Sequence, residues 1–76
     1  MMQKLPQVSA KETIKRLKKA GLEIERITGS HYIMRSSDGS RYATVPYHGR
    51  KKLKKGTLKN ILRGAKLGNE EFINLR

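Results

Sequence analysis

The sequence has no cysteine and no tryptophan, a single phenylalanine and only six acidic residues. Without cysteine there is no disulfide framework and no thiolate metal site, a composition that fits the cytosol. No apolar run approaches the roughly 20 residues of a membrane span. The opening Met1-Met2-Gln3-Lys4-Leu5-Pro6 holds no hydrophobic stretch long enough for a signal peptide. Core-forming residues are scarce too. Leu, Ile, Val and Phe make up 17 of 76 residues, close to the composition at which a highly charged chain is suspected of disorder. The length allows one domain, residues 1–76, with a thin core and little room for a deep pocket.

What is abundant is positive charge. Eighteen Lys and Arg against six Asp and Glu leave a net charge of +12. The natural partners of such a surface are polyanions: nucleic acid, then acidic protein or anionic membrane. The excess is concentrated. Between Gly39 and Asn69 there is no acid, and Arg41, Arg50, Lys51, Lys52, Lys54, Lys55, Lys59, Arg63 and Lys66 all fall there.

The arrangement of apolar residues argues for a fold. Ser9 and Glu12 form a capping-box pattern. Ala10, Ile14 and Leu17 then share a helical face, Ala20 lies at its edge, and Gly21 is placed as a left-handed stop. Glu12 and Arg16 are spaced to pair. Leu22-Glu23-Ile24-Glu25 alternates as a strand, and Ile27 breaks the phase, which predicts a bulge near Arg26. Gly29-Ser30 reads as a tight turn. A second strand runs from His31 to Arg35, and Ser37-Asp38-Gly39-Ser40 supplies hairpin chemistry. Arg41 to Val45 is a third strand, ended by Pro46. Both strands of this hairpin carry apolar residues on both faces, so period alone does not choose the core face. After a loop, a second helix is expected from an N-cap at Thr57, with Leu58, Ile61, Leu62 and Ala65 as its stripe. Gly64 inside it suggests close packing. Gly68-Asn69 opens a short third helix, with Glu70 and Glu71 at its positive end and Leu67 and Phe72 spaced to staple it. The expected fold is α+β: a two-layer α-β-β-β-α-α sandwich on a three-stranded antiparallel sheet, the layout of a double-stranded-RNA-binding domain.

The Lys54-Lys55-Gly56-Thr57 segment brings ammonium groups to a helix N-terminus, where phosphate binds well. Lys59, Arg63 and Lys66 extend the charge along that helix. The plainer reading is a solvated face and a mobile loop, but thirty residues without an acid favour phosphate binding. A membrane surface fits less well, because the basic helix offers no bulky apolar face to insert. Metal-dependent hydrolysis would need clustered carboxylates, and the acids are scattered. His31 and His48 alone make a poor metal site, so neither metal nor other cofactor is expected. RNA cleavage needs neither, since RNA carries its own nucleophile, the 2′-OH. It needs a proton-moving group such as histidine and cations for the phosphate. A tight turn presents His31 exposed and fixed, as acid–base work wants, but on position alone an ordinary strand-end residue is the better reading. His48, just before the basic run, reads as a turn anchor or as a phosphate or leaving-group contact. Tyr32, Tyr42 and Tyr47 are candidates for base stacking, with core packing the better account of at least one.

Several segments together resemble a known family. They are Leu5-Pro6, Lys19-Ala20-Gly21, Gly29-Ser30-His31, Thr44-Val45-Pro46-Tyr47-His48-Gly49, Leu53-Lys54-Lys55-Gly56-Thr57-Leu58, Ile61-Leu62 and Glu70-Glu71-Phe72. In this order they resemble the HicA toxins, mRNA interferases of HicA–HicB toxin–antitoxin pairs. Leu22 and Met34 depart from the pattern, standing where the family often has an aromatic residue. The resemblance implies a double-stranded-RNA-binding-domain-like fold and a metal-independent cytoplasmic endoribonuclease that arrests translation and growth. It implies His31 as the catalytic general acid or base, with His48 a weaker candidate for assistance. It places Ser30, Arg50, Lys51, Lys52, Lys54, Lys55, Lys59 and Arg63 on the RNA-binding surface, and it implies a HicB-type antitoxin as partner. A non-catalytic RNA-binding module of the same fold is the alternative. A DNA-binding regulator is a third reading, weakened because the second helix turns one face to the core.

Overall fold

The computed structural model describes residues 5–76. Residues 1–4, the start of the segment read above as lacking a signal peptide, lie outside the described residues. The element order is α1 (Ala10–Lys19), β1 (Leu22–Thr28), β2 (His31–Ser36), β3 (Tyr42–Pro46), α2 (Lys55–Ala65) and α3 (Asn69–Ile73). The strands form one antiparallel sheet in the order β1-β2-β3. This is the expected α-β-β-β-α-α layout, and the two longer helices cover one face of the sheet.

Helix α1 starts where Ser9 Oγ accepts from the Glu12 N–H at 3.2 Å. Only half of the expected capping box forms. The Glu12 carboxylate turns along the helix to Arg16, whose Nε donates to it at 2.8 Å. That bond holds the Glu12 carboxyl below its ordinary range. Gly21 follows with φ +99°, a conformation that disfavours any side chain.

The register resolves which strand face is inside. Tyr32 opposes Val45 and Met34 opposes Ala43, while Ile24 also opposes Met34. Met34, Ala43 and Val45 are buried among Ala10, Ile14 and Leu17 of α1, Leu22 of β1 and Ile61 and Ala65 of α2. His31, Ile33 and Arg35 therefore lie on the opposite, open face. The register slips between Ile24 and Arg26, so Glu25 is the extra residue of a bulge, as the broken phase predicts.

At the β2–β3 turn, Asp38 Oδ1 accepts from Ser36 Oγ, Ser40 N and Ser40 Oγ at 2.7, 3.0 and 2.8 Å. The Ser36 bond first, then those from Ser40, draws the Asp38 carboxyl down to about 2. The turn accordingly keeps this support above the ordinary carboxylate range and loses it as pH falls through about 2.

Strand β3 begins one residue later than expected. Arg41 leaves the strand, and its Nε donates to the Ala65 carbonyl at 2.9 Å, closing the C-terminal end of α2. Helix α2 also starts earlier than Thr57. Lys54 is the extended N-cap residue, and the Leu58 N–H already reaches the Lys54 carbonyl at 2.9 Å. Thr57 sits inside the first turn, and no side chain caps that end. The α2 stripe is shared between two clusters. Ile61 and Ala65 face the sheet, while Leu58 and Leu62 meet Val8 and Phe72, with Leu67 packed alongside.

Gly64 explains how closely α2 approaches β3. A Cβ built there would lie 2.5 Å from the Tyr42 carbonyl oxygen, a backbone atom that cannot swing away. Overpacking of this kind costs about 1–3 kcal/mol, against a helix-propensity gain of about 1 kcal/mol for Ala over Gly. Gly64→Ala is expected to lower the thermal midpoint by roughly 5–10 °C in scanning calorimetry. Gly56→Ala, where a Cβ meets open space, should leave it unchanged or raise it. Equal midpoints for Gly64→Ala and wild type would overturn the close-contact account.

Candidate functional site

The segment after β3 shapes the cationic end of the molecule. The Tyr47 N–H donates to the Ser30 carbonyl at 2.7 Å, and the Tyr47 ring stacks on Tyr32 with centroids 5.0 Å apart. Both tyrosines are half-buried against the core, whereas Tyr42 is exposed. Gly49 takes φ +62°, and the Lys51 N–H reaches back to the His48 carbonyl at 3.3 Å. The chain is then fastened to the segment before α1. Leu53 N–H donates to the Val8 carbonyl at 2.8 Å, and Lys52 bridges Ser9. A loop that composition alone allows to be mobile is thus held at its centre.

His31 is positioned by backbone. It follows the two-residue turn Gly29-Ser30, in which Gly29 adopts φ +56°. Thr28 pairs with it on one side and Pro46 on the other. Its side chain is exposed on the open sheet face. Ser30, half-buried, contributes its carbonyl to the clamp on Tyr47.

The structure brings some of the sequence-expected residues together and separates others. His48, Lys51, Lys52 and Lys54 line one cavity of about 350 Å³ with Pro46 and Thr57. Lys55 lines a neighbouring depression beside Leu5 and Pro6. Arg63 lies elsewhere, with Lys66, Asn60 and Tyr42 in a groove between α2 and β3. Arg50 and Lys59 are exposed. His31 lines none of these cavities; it is linked to the His48 cavity through its strand partner Pro46.

Two cations on the His31 face were not singled out from sequence. The register places Arg26 opposite Ile33, on the open face, and Arg35 lies on the same face. Arg35 pairs with Glu25 at 3.2 Å. Arg26 is exposed and has no ion pair among the described residues. The phase break at Ile27 is the sequence signal that carries this placement. Among the described residues, no three His, Asp or Glu side chains gather where a metal could sit. None of the described helices is long and apolar enough to cross a membrane.

Fold and surface together define a small cationic α+β domain with a pinned basic loop at one end of an open sheet. The family described as the HicA toxin of bacterial toxin–antitoxin matches residues 10–67, from the start of α1 through the whole sheet, the basic loop and α2. The chain belongs to the HicA toxin family. Membership makes it the toxin side of a toxin–antitoxin pair and implies a HicB-type antitoxin as its partner. No curated protein matches the chain.

The pinned loop has a direct signature in amide exchange. The Leu53 amide, bonded to Val8, should exchange at least about ten-fold more slowly than the amides of Arg50 and Lys54. Equal rates at all three positions would mean that the loop is not held.

Proposed function

We propose that the chain is an mRNA-cleaving toxin, a single RNA-binding and RNA-cleaving unit that acts in the cytoplasm without a metal. The observation that carries this reading is the placement of His31. It is an exposed histidine with a rigid backbone, next to Pro46, from which the cationic loop departs. Family membership supports the same reading.

The chemistry asks for little more. The substrate 2′-OH attacks the adjacent phosphorus, its proton is removed, and the 5′-oxygen leaves with a proton. His31 moves one or both of these protons. Lys51, Lys52 and Lys54 beside His48, with Arg50, Lys55, Lys59 and Arg63 around them, hold the phosphate backbone. His48 assists as a phosphate or leaving-group contact, and Ser30 contacts RNA at the turn. The antitoxin, of HicB type, silences the toxin by covering this surface.

One observation favours a second reading, a non-catalytic RNA-binding module. No side-chain hydrogen bond orients the His31 imidazole among the described residues, whereas catalytic bases usually have an orienting partner. Purified protein incubated with RNA and EDTA separates the two, since intact RNA supports the module.

For the cleaving toxin, His31→Ala should lower cleavage by at least about 100-fold while leaving the thermal midpoint and RNA affinity unchanged. Full cleavage by a folded His31→Ala protein would sink the mechanism. The triple change Lys51→Gln, Lys52→Gln, Lys54→Gln should weaken single-stranded RNA binding. It should also flatten the slope of log affinity against log salt by about 2, at roughly 0.7 per lost phosphate contact. An unaltered slope would remove these lysines from the interface.

A further inference from the structure

The bulge at Glu25 decides what the open sheet face offers beside His31. Leu22 and Ile24 oppose Ser36 and Met34, which lie on the helix-facing side of β2, so strict alternation would turn Arg26 toward the helices. The extra residue reverses this. Arg26 now opposes Ile33, and Thr28 opposes His31, which puts Arg26 and Thr28 on the His31 face. Bulges commonly re-aim a side chain in this way.

Arg26 and His31 are diagonal neighbours across the β1–β2 pair, because His31 lies two residues from Ile33 on the same face. Diagonal neighbours in an antiparallel sheet sit about 7 Å apart, within reach of long side chains. A phosphate can therefore touch both. The surroundings leave Arg26 available for it. Glu25, the bulged residue itself, pairs with Arg35 at 3.2 Å and so neutralises the other arginine of this face. Arg26 keeps its full charge and its planar fork, the geometry that meets two phosphate oxygens at once.

We propose that Arg26 grips the scissile phosphate beside His31, donating to its non-bridging oxygens as negative charge accumulates there during attack by the 2′-OH. The inference deepens the RNA-cleaving reading and rests on it for the reaction. The phosphate site formed by Arg26 and His31 can be tested without any reaction.

The first measurement adds inorganic phosphate at fixed pH and follows the His31 ring resonances by NMR. Wild-type protein should show a phosphate-dependent shift. Arg26→Gln should lose it, and Arg26→Lys should retain part of it. The second measurement is RNA cleavage. Arg26→Gln should lower kcat about 100-fold, the scale on which one donor to a developing oxyanion acts. Its affinity for 2′-O-methyl RNA, which cannot be cleaved by this route, should change less than about three-fold because the loop and α2 cations remain.

No phosphate response in the wild type, or an undiminished response in Arg26→Gln, overturns the site. Full cleavage by Arg26→Gln alongside an inactive His31→Ala overturns the Arg26 role while the RNA-cleaving reading stands. A phosphate response that depends on Arg26, in a protein that leaves RNA intact, supports the Arg26–His31 site and removes the cleaving reading instead.

Discussion

One buried cation holds together a protein otherwise crowded with exposed ones. Arg16 is only 6% exposed. Its Nε meets the Glu12 carboxylate, its Nη1 donates to the Phe72 carbonyl at 3.3 Å, and its guanidinium lies 4.8 Å from the Phe72 ring centroid. Taking a charge out of water is costly unless its donors are matched, and here carboxylate, carbonyl and ring face share that task. The consequence runs outward. Phe72 is the largest fully buried side chain and joins Val8, Leu58 and Leu62. The Val8 carbonyl holds Leu53, and Leu53 sits among the lysines of the basic loop. The contact between α1 and α3 therefore underlies the position of the cationic surface at the far end of α2.

Four of the six acids complete this arrangement by where they stand. Glu12 serves Arg16, Glu25 serves Arg35, Asp38 ties the β2–β3 turn, and Glu71 accepts from the Gly68 N–H at 3.1 Å to start α3. None of them lines the His48 cavity. Local structure thus takes up much of the scarce negative charge and leaves Lys51, Lys52 and Lys54 without a carboxylate beside them in that cavity. Their mutual repulsion opposes folding, and a bound anion relieves it. On the proposed function, an RNA backbone and an acidic protein surface would compete for the same relief, which would give an antitoxin a physical route to silence the toxin.

The elements that obey simple periodicity were legible in the sequence. The α1 and α2 stripes, the Gly21 stop, the bulge and the Gly64 contact all follow from spacing or from one special residue. What escaped depends on contacts between distant segments. From sequence Arg16 reads only as a partner of Glu12, because nothing local shows that Phe72, 56 residues away, closes over it. Side-chain chemistry favours Thr57 as the N-cap of α2, yet the backbone turns at Lys54 with no side-chain cap. In sequence the cations form one tract, whereas the helical turn separates Arg63 from Lys51, Lys52 and Lys54. Arg41 belongs to that tract in sequence and to the end of α2 in space.

A shallow site is consistent with the chemistry proposed for it. An enzyme that must supply a nucleophile and exclude water needs an enclosed cavity, and a 76-residue chain has little interior to give. RNA brings its own nucleophile and a phosphate every residue along its backbone. The demand on the protein reduces to placing a proton-moving group and a few cations at fixed separation. Strand pairing does this well, because Thr28, Pro46 and the Ser30–Tyr47 bond fix the His31 backbone without burying its side chain. On the proposed function, the open sheet face is the rigid ruler against which the extended RNA backbone would lie.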